Sequence, residues 1–148
     1  MNEAAAAFQE RQVGTLPGIL GFEWIEARNG FSCGRFLVEK RHLAPNDFLH
    51  AATVVALADT ACGIGCIESL PQGASGFTTA ELKANFIGTA REGGVACEAN
   101  LVHGGRTTQL WDATVKSEVK GKVLALFRCT QIILYPAQTS GPQAPVRA

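Results

Sequence analysis

The chain shows no excess of charge of either sign: 13 Lys and Arg side chains face 13 Asp and Glu across 148 residues. It also lacks any basic run, or basic stripe interleaved with aromatics, so nucleic-acid binding finds no support. The five cysteines, Cys33, Cys62, Cys66, Cys97 and Cys129, are odd in number and contain no CxxC pair. Reduced, buried thiols in a cytoplasmic protein are the expectation. Cys62 and Cys66 stand one helical turn apart, but two ligands with no further His or Cys cluster do not make a zinc site. Long uninterrupted apolar runs are missing too. The segment 51–67 is broken by Thr53, Asp59 and Thr60, and is too short and too polar to span a bilayer. The first residues, Met1-Asn2-Glu3-Ala4, are acidic rather than basic and lead into no secretory core. No membrane partner is expected.

What is present suits a single packed domain. Apolar residues make up 47% and charged residues 18%, slightly apolar for a chain of this size, which hints at surface hidden between subunits. An Ala run followed by Phe8-Gln9-Glu10-Arg11 predicts a short helix over 3–13, punctuated by Gly14 and Pro17-Gly18. A first strand is predicted over 21–27, a hairpin turn at Asn29-Gly30, and a second strand over 31–39. A loop holding Pro45-Asn46-Asp47 follows. Next, 51–67 is apolar on nearly every side and rich in Ala and Gly, which predicts a long helix buried all round. From 77 onward every run reads as strand: 77–87, 95–102, 107–117 and 122–134, separated by Gly-containing breaks. Beyond Pro136 the chain reads as a disordered tail. One all-apolar helix needs a sheet that curls around it, which is an α+β architecture.

His50-Ala51-Ala52, with Leu57-Ala58-Asp59 completing a nine-residue spacing, resembles the His-Gly-Gly then Leu-Ala-Asp signature of the PaaI-like thioesterases. Their relatives, the Arthrobacter-type 4-hydroxybenzoyl-CoA thioesterases, carry Glu at the acid position. The stretches Thr79 to Phe86, Arg91-Glu92-Gly93 and His103 to Thr108 resemble the same family in the same order. The resemblance implies the hotdog fold, an antiparallel sheet wrapped around one long buried helix. It divides the chain into an N-terminal helical arm (1–15), the hotdog thioesterase domain (16–135) and the tail (136–148). It departs from the family where Ala51 and Ala52 replace two glycines, and where Ala44 and Asp47 replace an amide residue and a glycine. Gly88 and Tyr135 stand where the Arthrobacter-type enzymes carry arginines that hold the coenzyme A phosphates.

An Asp in the middle of an apolar helix is costly in propensity and in burial, so Asp59 is the central candidate. It acts either as general base on water or as nucleophile on a thioester carbonyl; the bland alternative is a hydrogen-bonded structural carboxylate. The backbone N–H groups at the helix start, around Ala51, would hold the developing oxyanion. His50 either positions the loop or thioester oxygen, or is structural. Asn46 either orients carbonyl or water, or makes a turn. Thr60 and Gly63, within a turn of Asp59, are candidates for the acyl pocket, whereas Cys62 reads as core packing. By resemblance, Arg106 and Thr107 contact the nucleotide end of coenzyme A, with Arg91 and Lys83 as weaker candidates.

The expected activity is therefore hydrolysis of an acyl-CoA, an aromatic acyl such as phenylacetyl or hydroxybenzoyl being favoured by resemblance. No cofactor or metal is expected, coenzyme A being part of the substrate. A non-catalytic acyl-CoA-binding hotdog protein and a hotdog dehydratase are the alternatives. The resemblance also implies a homodimer as the minimum and a homotetramer as the expected assembly.

Overall fold

The computed structural model describes residues 1–137. Helix α1 (Glu3–Arg11) and the short α2 (Leu16–Ile19) precede a hairpin of β1 (Glu23–Arg28) and β2 (Phe31–Leu37). A single 3-10 turn (Lys40–His42) leads to α3 (Ala51–Glu68). Four strands follow: β3 (Gly76–Phe86), β4 (Gly94–Gly104), β5 (Thr108–Ser117) and β6 (Val123–Leu134). They form one six-stranded sheet of order β1-β2-β4-β5-β6-β3, with every neighbouring pair antiparallel. This is the α+β layout expected from the helix and strand pattern, and the hotdog architecture that the resemblance implies. Of the expected tail, residues 138–148 lie outside the described residues.

Alternation explains which face of the sheet meets the helix. On β5, Gln109, Trp111, Ala113, Val115 and Ser117 are buried while their neighbours are not. On β6, Phe127, Cys129, Gln131 and Ile133 alternate in the same way. Helix α3 lies against this face and contacts all six strands. Its glycines permit the approach: a Cβ on Gly65 would sit 2.5 Å from the Trp111 ring. Ser32 Oγ donates to the Ala61 carbonyl (2.5 Å), tying α3 to β2.

The reading of 51–67 as too short and too polar to span a bilayer is corrected: α3 is long and apolar enough by length and composition, and its burial against the sheet marks it as a core helix. The expectation that it is buried all round is corrected in one respect. Ala52 and Ile67 are exposed, and Val55, Ala56, Asp59 and Thr60 are only partly covered. The sheet covers one side of the helix, and α2 touches one further flank, which leaves an open stripe of small residues containing Asp59.

The arm is stitched to β1. The Asn2 side chain caps α1 by accepting from the Ala5 amide (3.0 Å) and donates to the Ala27 carbonyl (2.8 Å). Gln12 is buried, donating to the Phe22 carbonyl (2.6 Å) and accepting from the Trp24 indole (2.7 Å). The predicted break at Pro17-Gly18 is in fact α2. Proline is tolerated in a first helical turn, where an N–H has no acceptor to lose.

Candidate functional site

Asp59 sits midway along α3, half-buried on the open stripe. Its Oδ1 is buried and accepts no hydrogen bond. Burial pushes the carboxyl above its ordinary 3.8, and the Thr79 side chain from β3 opposes that rise. Thr79 faces the helix because it pairs with the buried Gln131 across the β3–β6 ladder. Immediately after Thr79, β3 is bulged between Thr79 and Glu81, so that Leu82, Ala84 and Phe86 continue on the helix-facing side opposite Cys129, Phe127 and Ala125. One turn along α3 from Asp59 is Gly63, which has no side chain to project. A Cβ there would meet the Phe77 ring at 3.0 Å. The Thr60 hydroxyl donates to the Ala56 carbonyl (2.7 Å), so it is occupied within the helix.

The start of α3 holds a second set of groups. His50 is the N-cap in extended backbone, and its Nδ1 accepts from the Ala52 amide at 2.9 Å. In the neutral ring the proton then lies on Nε2, which leaves an N–H donor at an exposed position. The Thr53 and Val54 amides return to the His50 carbonyl (3.0 and 3.4 Å). Among the described residues the Ala51 amide donates to no protein acceptor. This free N–H stands at the positive end of an 18-residue helix. Ala51 and Asp59 are eight residues apart, about 12 Å of helical rise, so one chain does not bring both to one carbonyl.

Asn46 is exposed in the preceding turn, where its Oδ1 accepts from the Phe48 amide (3.3 Å). That is the local bond of an Asx turn. Beside it Asp47 takes the left-handed region (φ 62) and pairs with Lys40 at 2.6 Å, which holds its carboxyl below the usual range.

The candidate nucleotide-binding residues fall in two places. Arg106 and Thr107 lie exposed in the β4–β5 turn, where Tyr135 Oη donates to the Arg106 carbonyl (2.6 Å) and the Arg106 guanidinium stands 5.9 Å from the Tyr135 ring centroid. Arg91 lies before β4, over the Phe48 ring at 4.1 Å, and lines a cavity of about 360 Å³ with Phe48, Lys120 and Lys122. Strand β4 separates the two arginines, about 30 Å at the rise of an extended chain. Lys83 pairs with Arg128 on the face turned away from α3. The thiols are core groups: Cys62 is pushed up by the neighbouring Cys129 thiol and by burial, and burial pushes Cys66 up to about 12. Among the described residues no group of three or more His, Cys, Asp or Glu is placed to hold a metal ion.

Two residues near these groups are not singled out by the sequence. Thr79 belongs to a stretch that resembles family sequence, and strand alternation was its available signal. His42 sits in a Lys-Arg-His run that reads as solvated loop, yet it is 1% exposed.

A family model described as the thioesterase superfamily matches residues 46–124, which contain Asn46, His50, Ala51, Asp59, Thr79 and both arginines. The chain is 29% identical over 111 residues to a 1,4-dihydroxy-2-naphthoyl-CoA hydrolase of Listeria monocytogenes, covering 75% of this chain and 89% of that one. Its fold is similar to that of a thioesterase from Haemophilus influenzae (TM-score 0.85, 20% identity, 95% and 97% of the two chains). It is similar also to the PaaI protein of the phenylacetic acid degradation operon of E. coli (TM-score 0.78, 23% identity, 89% and 91% covered). At these identities the two structural likenesses concern the fold.

Proposed function

Since this chain belongs to the thioesterase superfamily and is a thioester hydrolase of acyl-CoA, we propose that it cleaves an aromatic acyl-CoA with Asp59 as the reacting carboxylate. Asp59 carries the reading: a half-buried acid on a packed helix whose Oδ1 has no partner in the protein. Such an oxygen is left available to a water or an acyl carbon. Asp59 either takes a proton from water as it attacks or adds to the carbonyl itself. The Ala51 amide and the His50 Nε2–H supply donors for the oxyanion. Thr60 and Gly63 border the acyl group, the missing side chain of Gly63 admitting the Phe77 ring as part of the pocket wall. Arg106, Thr107 and Arg91 serve the phosphates of coenzyme A, and Asn46 shapes the loop at the helix start. No cofactor or metal takes part. An aromatic acyl group is supported by the substrate named for the Listeria relative.

The site is shared between two protomers in this reading. Strand β3 is an edge strand, and its helix-facing Leu82 and Phe86 remain 43% and 47% exposed. A free edge with an apolar face suits antiparallel pairing with the β3 of a second copy. That pairing reverses the second chain, so the helix start of one protomer approaches the mid-helix Asp59 of the other. A homodimer is therefore the minimum unit, and a homotetramer the expected assembly. The five free thiols suit the cytoplasm.

The test is release of free thiol from a panel of aromatic and straight-chain acyl-CoAs, with Asp59→Asn assayed alongside. Loss of the general base should lower kcat by about 10²–10⁴-fold. Equal turnover by both proteins would mean that Asp59 is structural.

A further inference from the structure

His42 is a buried imidazole outside the group of residues that would touch substrate, and its atoms engage three segments, β2 with its exit, the end of α2 and the start of α3. Its Nδ1 accepts from the Glu39 amide (2.8 Å), where the chain leaves β2. Its Nε2 therefore carries the proton and donates to the Leu20 carbonyl (2.7 Å), at the end of α2. Its ring stacks on Phe36 of β2 with centroids 4.6 Å apart. Its own carbonyl accepts from the His50 amide (2.9 Å) and from the Thr53 hydroxyl (3.2 Å), the N-cap and third residue of α3. Leu49, just before the cap, is held separately, its amide donating to the Ala90 carbonyl (3.0 Å).

We propose that His42 is a positioning residue for the reaction: it fixes the start of α3 so that the Ala51 amide is held where the thioester oxygen sits. This rests on reading the helix start as the oxyanion hole. A fully buried ring with both nitrogens bonded has one tautomer and one orientation, so its carbonyl is a rigid anchor. Oxyanion donors are effective only when preorganised, and displacement by about 1 Å costs about 100-fold in rate. The polar contacts of Asn46 and Asp47 in the same loop lie at exposed positions and hold it less firmly.

Two substitutions divide the links. His42→Asn offers an acceptor to the Glu39 amide and gives up Leu20. His42→Gln reaches Leu20 and gives up Glu39. With the acyl-CoA of the panel that turns over fastest, each should lower kcat by about 10–100-fold while KM changes less than about threefold. Ala51→Pro removes the free amide and suits a first helical position, since His50 already has the extended backbone that precedes proline. It should lower kcat by about 10²–10³-fold. In the double variant His42→Asn/Ala51→Pro the loss should stay close to that of Ala51→Pro alone, because both act on one group.

Losses that multiply, or a loss confined to KM, would overturn the positioning role while leaving the oxyanion reading intact. Full kcat in Ala51→Pro would overturn the oxyanion reading itself, and the role of His42 with it. Should the His42 variants fail to fold, Thr53→Val removes one bond to the same carbonyl and should reproduce the kcat loss on a smaller scale.

Discussion

In the proposed mechanism His50 joins a structural task to a chemical one, and substitution should separate them. In His50→Ala the Ala52 amide loses its 2.9 Å bond to Nδ1, and the exposed Nε2–H disappears with it. Loss of an N-cap costs about 1 kcal/mol. For a domain of this size that lowers Tm by roughly 2–8 °C. Loss of one oxyanion donor costs about 2.7–4 kcal/mol of transition-state stabilisation, a fall of about 10²–10³-fold in kcat. In His50→Asn the side-chain oxygen restores the cap but the shorter amide holds its Nδ2 donor short of the position of Nε2, so Tm should return to the wild-type value while kcat stays low. Thermal unfolding and steady-state thioester hydrolysis on the three proteins read the two effects independently. Full activity in His50→Asn would refute the donor role. An unchanged Tm in His50→Ala would refute the capping role.

Asp59→Asn should stabilise the protein near pH 7 even as it removes activity. Burial raises the folded-state pKa above 3.8, so the carboxylate lowers stability progressively as pH climbs through that raised value, and has no such effect below 3.8, where both states are protonated. Urea unfolding at pH 3 and pH 7 should find the variant ahead only at pH 7; a variant that is less stable at pH 7 refutes the argument. The pair Leu82→Lys and Phe86→Lys places charge on the half-exposed inner face of β3. Losing two apolar side chains from the proposed contact, each contributing about 1.5–3 kcal/mol when buried, should raise the dimer dissociation constant at least about 100-fold, and light scattering that still finds a dimer at micromolar protein would place the interface elsewhere.

Local signals served well wherever one rule governed a segment. Asn29-Gly30 turns the first hairpin with Gly30 at φ 78, and alternation in 109–117 matches burial on β5 residue by residue. Uniform apolarity announced α3, and Asp59 stood out because nothing else in that helix was charged before Glu68. Where two segments met, the reading was weaker. His42 is flanked by Lys40, Arg41 and a loop, and only the return of α2 and the start of α3 make it a buried junction. Arg91 and Arg106 are 15 positions apart in sequence, and the full length of β4 divides them in space. The open stripe on α3 could not be foreseen from composition, because alanine and glycine are equally at home in a core and beneath a neighbouring helix.

The order of the strands also sets a timetable. β3 follows α3 directly in the chain, yet among the described residues its only partner in the sheet is β6, the last of the six strands to be made. During synthesis β1, β2 and β4 can pair as they emerge, whereas β3 waits through some 37 residues, from Phe86 to Val123, before its ladder can form. Thr79, which faces Asp59, is carried on that waiting strand. Asp59 thus acquires its final surroundings only when nearly the whole domain has left the ribosome. A nascent chain stalled before β6 would hold the signature residues without the ladder that places Thr79 beside Asp59.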